Sequence, residues 1–350
     1  MVVVSVAVSV AVSAGCDRAS RAEPAPATSG ATTEVALPTP ALVVKGSVAT
    51  FAVGLDDTLF WSGHATRTPA VRRLPRATPG SPVDASEGGV PVVAAGATQI
   101  VIERGFLDLI LWDRERPGTG DVLRAALDGD GGARPVTLAT ERVSVGLAVG
   151  ATRACWVGMT DPSNAHLLAV RCAPLAGQGP VVTIAGGDDA SLVGIAGMIE
   201  DDVVWVARGG VFRAPASGVA PPARLRDVPR GAIGAFRGGA LYLITDGRHV
   251  VRAPLDGEAT APVVAADARL ACLDVEGETL YYATARHEAG DLWGHGPSHG
   301  TLFRARADGS RPAEPIASGF GLCLQMQVTR GAVWFAGDGG IYRVDRASAP

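Results

Sequence analysis

The amino-acid sequence predicts an all-β fold, a seven-bladed β-propeller of four-stranded antiparallel blades closed by an N-terminal strand, and three observations predict it. One hairpin, plainest in "GGALYLITDGRHVVRAPLDG" at 238–257, recurs along the chain. Two independent markers inside that hairpin each count to seven. The last copy lacks a fourth strand, and a strand-like segment at the front of the chain can supply it.

The first marker is an apolar-aromatic-apolar core in the hairpin's leading strand: "TLFWSG" at 58, "ACWVGM" at 154, "VVWVAR" at 203, "ALYLIT" at 240, "TLYYAT" at 279 and "AVWFAG" at 332. A seventh, "QIVIER" at 99, lacks the aromatic. The second marker is an arginine in the returning strand, at Arg73, Arg124, Arg171, Arg213, Arg252, Arg304 and Arg343. An apolar alternation precedes each hairpin and a short, Pro-led strand such as "PVTLA" or "PVVTIAGG" follows it, which makes four strands per unit. The unit is too small to bury its own faces, so it must shelter against its neighbours.

The ends of the chain complete the argument. The final unit stops at "IYRVDRASAP", while "TPALVVKGS" stands immediately before the first full unit. An N-terminal strand added to the C-terminal blade closes the ring and removes an exposed edge. Six blades are the alternative, because the second unit is the least regular and its "GFLDLILWDRERPGTG", 105–120, reads as a long loop or a displaced strand.

Composition agrees and narrows the function. Of 350 residues, 47% are hydrophobic and 19% charged, with 45 Gly and 24 Pro, as many short buried strands between turns require. A net charge of -4 argues against nucleic acid, whose binding rests on clustered cations. Lys45 is the sole lysine, so the body offers no candidate for Schiff-base chemistry.

The first 16 residues, "MVVVSVAVSVAVSAGC", are too short to span a membrane and have the shape of a signal-peptide core. Ser13-Ala14-Gly15-Cys16 resembles a bacterial lipoprotein box, which implies acylation of Cys16; an ordinary secretory signal with an incidental cysteine is the alternative. Residues 17–40, rich in Pro, Ala, Ser and Thr, cannot bury enough surface to offset their ordering entropy and read as a disordered tether. The single propeller domain is then 41–350. Repeated "DG-x-apolar-Tyr/Trp" hairpins behind such a leader resemble bacterial envelope propeller lipoproteins of the TolB-like and NHL-like type. That resemblance implies an exported monomer, lipid-anchored to the inner or outer membrane, and it specifies blade structure rather than activity.

Four cysteines beyond Cys16 favour disulfides in an exported chain. Cys155 and Cys172 fall opposite each other on the second and third strands of blade 3, where a bond would contribute about 3 kcal/mol in the chain-entropy picture. Cys272 and Cys323 fall at the starts of first strands in adjacent blades, as a disulfide or as buried thiols.

Candidates for chemistry are few. The aromatics Phe60, Trp156, Trp205, Tyr242, Tyr281 and Trp334 share one repeat position and read as packing between blades, and the repeated arginines as a solvated or aromatic-stacked stripe. Acidic pairs at Asp56-Asp57 and Asp201-Asp202 read as turn residues. The loop "RHEAGDLWGHGPSHG" gathers His287, Glu288, Asp291, His295 and His299; His287, Glu288, His295 and His299 are the candidate ligands of a divalent metal ion. Asp188 and Asp189 fall in an interblade connection, the candidate ligand face. No catalytic motif is present, and no cofactor is expected unless that metal is bound. The reading is a non-catalytic envelope scaffold for a protein, glycan or small ligand; a metal-dependent lyase or lactonase-like enzyme and a structural part of a surface assembly are the alternatives.

Overall fold

A computed structural model describes residues 37–63, 69–75, 80–111, 120–127, 135–141, 146–161, 164–186, 192–207, 209–287 and 298–346. The leader, Cys16 and most of the tether lie outside them. Seven antiparallel sheets follow one another along the chain. Blade 1 comprises Val48–Val53, Leu59–Gly63, Val71–Leu74 and Val90–Val93, and blade 2 comprises Ala97–Glu103, Phe106–Leu111, Gly120–Ala126 and Val136–Glu141. Blade 3 comprises Ala148–Val149, Arg153–Asp161, Asn164–Pro174 and Val182–Gly186, and blade 4 comprises Leu192–Ile199, Asp202–Ala207, Gly210–Pro215 and Ala223–Asp227. Blade 5 is Ala232–Arg237, Ala240–Thr245, His249–Pro254 and Ala261–Ala265; blade 6 is Arg269–Glu276, Thr279–His287, Ser298–Arg306 and Glu314–Phe320.

Blade 7 closes the ring. Cys323–Val328, Ala332–Gly337 and Gly340–Asp345 accept Ala41–Lys45 as their fourth strand, with Leu42 opposite Tyr342 and Val44 opposite Ile341. Gly340 makes this approach possible: its φ is 147°, and a Cβ there would run into the Val44 carbonyl oxygen. A fifth strand, Val83–Asp84, leaves blade 1 and pairs in parallel with Val44 and Lys45. It is held by Ala85 N donating to Lys45 O at 2.8 Å and by Trp61 Nε1 donating to Ala85 O at 3.0 Å. The sequence reading contains no such strand; its effect is to cover the free edge of the closing strand.

Strand alternation sends side chains to both faces of every blade, and the described residues form seven buried clusters, one in each interface between neighbouring blades. Phe60, Tyr242, Tyr281 and Trp334 face the following blade, as members of one repeat position should. Trp156 and Trp205 face the preceding blade instead. Spacing alone cannot separate the two faces, because a shift of one residue exchanges them.

Blade 2 needs a second correction. "QIVIER" belongs to the first strand, and Phe106–Leu111, inside the segment read as a loop or displaced strand, is the second. The residue there that opposes the repeated Arg124 is Asp108.

Most of the remaining repeated arginines are ion-paired more than solvated. Arg171 reaches Glu141 at 2.9 Å, Arg213 reaches Asp202 at 2.7 Å and Arg304 reaches Glu314 at 2.8 Å. Arg343 lies 5.0 Å over the Trp334 ring. Asp56, Asp57 and Asp201 occupy turns, as expected, whereas Asp202 opens a strand; Asp201 also accepts bonds from Thr152 N and Oγ1, which ties blade 4 to blade 3.

Both disulfides are present. Cys155–Cys172 joins register partners within blade 3, with a Cα–Cα distance of 4.1 Å. Cys272–Cys323 joins the first strands of blades 6 and 7 across 5.8 Å. No helix among the described residues is long and apolar enough to cross a membrane.

Candidate functional site

A concavity among the described residues lies between blades 5 and 6, a groove of about 850 Å³, within the size range of small-molecule sites. One wall is the outer strand of blade 5 with its connection, residues 263–268. The floor is one face of the blade 6 hairpin, and residues 309–313 close the far end.

Antiparallel register lays that floor out in rungs. Tyr282 stands opposite Phe303 and Thr284 opposite Thr301, and His299, two residues before Thr301, continues the same face toward the rim. The two rings stack at 5.0 Å between centroids, 7° from parallel. The floor therefore grades from aromatic through hydroxyl to imidazole, with exposed Asp267 on the opposite wall and Arg311 at the far end. Burial, reinforced by the nearby charge of Asp267, pushes the Tyr282 hydroxyl up to about 12, so it stays a neutral donor at any ordinary pH. Hydroxyl, imidazole, carboxylate and guanidinium groups along one trough make a surface suited to recognition.

The predicted site residues meet this groove at one point. His299 lines it and is exposed. His287 ends the second strand of blade 6, opposite Ser298. Glu288, Asp291 and His295 lie outside the described residues, as do Asp188 and Asp189. Among the described residues, no three His, Cys, Asp or Glu side chains stand close enough to hold a metal ion.

Sequence reasoning passed over the groove itself. Its signal was the pairing of "TLYYATAR" with "TLFRAR", in which a second aromatic and two threonines repeat at matching distance from the turn. Only the register shows that Tyr282, Thr284, Thr301 and Phe303 share a face, and only the neighbouring blade makes that face a trough.

No protein-family model and no curated protein matches the chain. Solved structures do. A prolyl endopeptidase aligns with a TM-score of 0.58 at 15% identity, over 89% of this chain and 48% of that one. The extracellular domain of BT4673 from B. thetaiotaomicron aligns at 0.57 and 9% identity, over 89% and 40%. The computationally designed protein Ika8 aligns at 0.52 and 11% identity, over 87% and 99%. The chain thus spans about half the length of the endopeptidase it resembles. At these identities the likeness is one of fold alone, and that fold is the β-propeller.

Proposed function

We propose that the chain is an exported, envelope-anchored binding scaffold, held to a membrane by a lipid on Cys16 and spaced from it by residues 17–40, whose propeller receives a small hydroxyl-rich ligand, a glycan fragment, in the groove between blades 5 and 6. The observation that carries the ligand assignment is the graded floor of that groove. A sugar ring has an apolar C–H flank for the Tyr282 and Phe303 end and hydroxyls for Thr284, Thr301, His299 and Asp267. Export is supported by the four body cysteines, all of them bonded, as suits an oxidising compartment.

Two experiments test the reading separately. Labelling cells with an alkyne fatty acid should mark the full-length chain and leave the Cys16→Ser variant unmarked; a labelled variant rejects the anchor. A glycan array probed with the full chain should retain wild type on a discrete set of sugars. Thr284→Leu, which narrows the trough, should lose that retention. Retention unchanged in the variant, or none by wild type, rejects the groove as a glycan site.

A further inference from the structure

Blade 2 breaks the repeat at one buried position. Opposite the repeated arginine and facing the following blade, blades 1, 5, 6 and 7 place Phe60, Tyr242, Tyr281 and Trp334. Blade 2 places Asp108 there, 0% exposed, and it alternates onto the same face as Ile110, toward blade 3. Trp156 enters that interface from the other side, and its backward orientation fills space that a blade 2 aromatic would take.

Asp108 is poorly answered for a buried carboxylate. Its nearest cationic atom among the described residues is Arg124 Nη1 at 3.6 Å, beyond hydrogen-bond length, and the Arg124 guanidinium lies 4.0 Å over the Phe106 ring. Neither Asp108 oxygen has a hydrogen-bond partner. Asp274 in blade 6 is buried to the same degree and shows the contrast. It accepts from Val275 N at 2.8 Å and from Val328 N at 2.9 Å, with Arg237 at 3.2 Å.

The surrounding charges among the described residues do not compensate. Glu103 shares the face, answered from solvent by half-exposed Arg104 at 3.2 Å. On the outer strand of blade 2, Glu141 bonds to Trp156 Nε1 and to Arg171 of blade 3. Among the described residues, three carboxylates, Glu103, Asp108 and Glu141, thus meet two largely buried guanidiniums, Arg124 and Arg171.

We propose that Asp108 is a proton-operated fastener between blades 2 and 3: protonated, it packs as a neutral side chain, and ionised, it leaves an unbonded charge in the interface that loosens these two blades against the rest of the ring. An ionised carboxylate without hydrogen bonds is among the costliest things to bury. Burial raises the Asp108 carboxyl to about 7, with Arg124 opposing and Glu103 adding to the rise. Burial likewise raises Glu103 and Glu141.

The direction follows from linkage. Below the ordinary value of 3.8, folded and unfolded chains both hold the proton and pH has no effect through this group. Between there and about 7 the unfolded chain sheds it and the folded chain keeps it, so stability falls as pH rises, then levels off.

Hydrogen exchange by mass spectrometry on the full chain at pH 6 and pH 8, corrected for intrinsic rates, provides the test. With a folded value near 7, opening of blades 2 and 3 should rise about tenfold across that interval, while blade 4, which holds none of the buried carboxylates Glu103, Asp108 and Asp274, stays level. Asp108→Asn, uncharged and of equal size, should hold the two blades level as well. A uniform response across all blades, or a wild-type response that persists in Asp108→Asn, overturns the proposal. Should that variant fail to fold, the blade-by-blade pattern of the wild type decides alone.

Discussion

Gln327 and Val53, 274 residues apart, exchange two hydrogen bonds: Gln327 Nε2 donates to Val53 O at 2.8 Å, and Val53 N donates to Gln327 Oε1 at 2.8 Å. Gln325 does the same with Phe51, at 2.8 and 3.2 Å. Two amides on the first strand of blade 7 thus behave like a strand of backbone and satisfy the inner edge of blade 1. Gln327→Leu keeps the bulk and strands both Val53 groups, each a loss of about 1–3 kcal/mol when buried. Chemical denaturation should show the variant less stable by about 2 kcal/mol or more; stability equal to wild type would mean that water already serves that edge.

Closure depends on Gly340. Gly340→Val meets a backbone conformation that L side chains avoid and a carbonyl oxygen in its way. Strain of this kind costs about 1–3 kcal/mol, and the displaced closing strand adds its own loss. The variant should melt earlier and elute partly as aggregate in size-exclusion chromatography, since an uncovered strand edge invites pairing with another chain. A monomeric variant with an unchanged melting curve contradicts this account.

The two disulfides should differ in worth. Loops of 17 and 51 residues correspond to about 3 and about 4 kcal/mol in the chain-entropy picture. Cys155–Cys172 also duplicates a hairpin that the register already holds, whereas Cys272–Cys323 staples two blades. Paired Cys→Ala variants should therefore rank with 272/323 the more destabilised, and the opposite ranking in thermal melts speaks against a stapling role.

At low pH a different carboxylate takes over. Burial pulls Asp56 upward, but the Thr58 hydroxyl, at 2.8 Å, and the Thr58 amide outweigh it and hold the carboxyl below its ordinary 3.8. Stability from this group is present above that value and is lost as pH falls through the folded one. Acid unfolding followed by circular dichroism below pH 4 should be shallower in Asp56→Asn, and a slope identical to wild type would exclude the Thr58 bonds as its source.

Legibility in the sequence tracked periodicity. Seven blades, the N-terminal closing strand and the opposition of Cys155 to Cys172 were readable, because each follows from counting residues along a repeat and from a turn that fixes register. Blade 2 was misphased where Asp108 removed the aromatic marker, so the apolar "QIVIE" took its place. Val83–Asp84 was invisible because two residues carry no alternation, and their pairing partner belongs to another blade. The groove residues were legible only as strand; neither Thr284 nor Thr301 carries a chemical signature until the register sets them side by side.

Ala41 lies opposite Arg343, at nearly the full length of the described chain. During synthesis the earlier strand emerges first and then waits for its partner while every intervening blade is made. Contacts this distant in sequence are slow to form. The ring can be sealed only as its last hairpin appears, and a chain interrupted before that moment carries an open seam however many of its blades are already built.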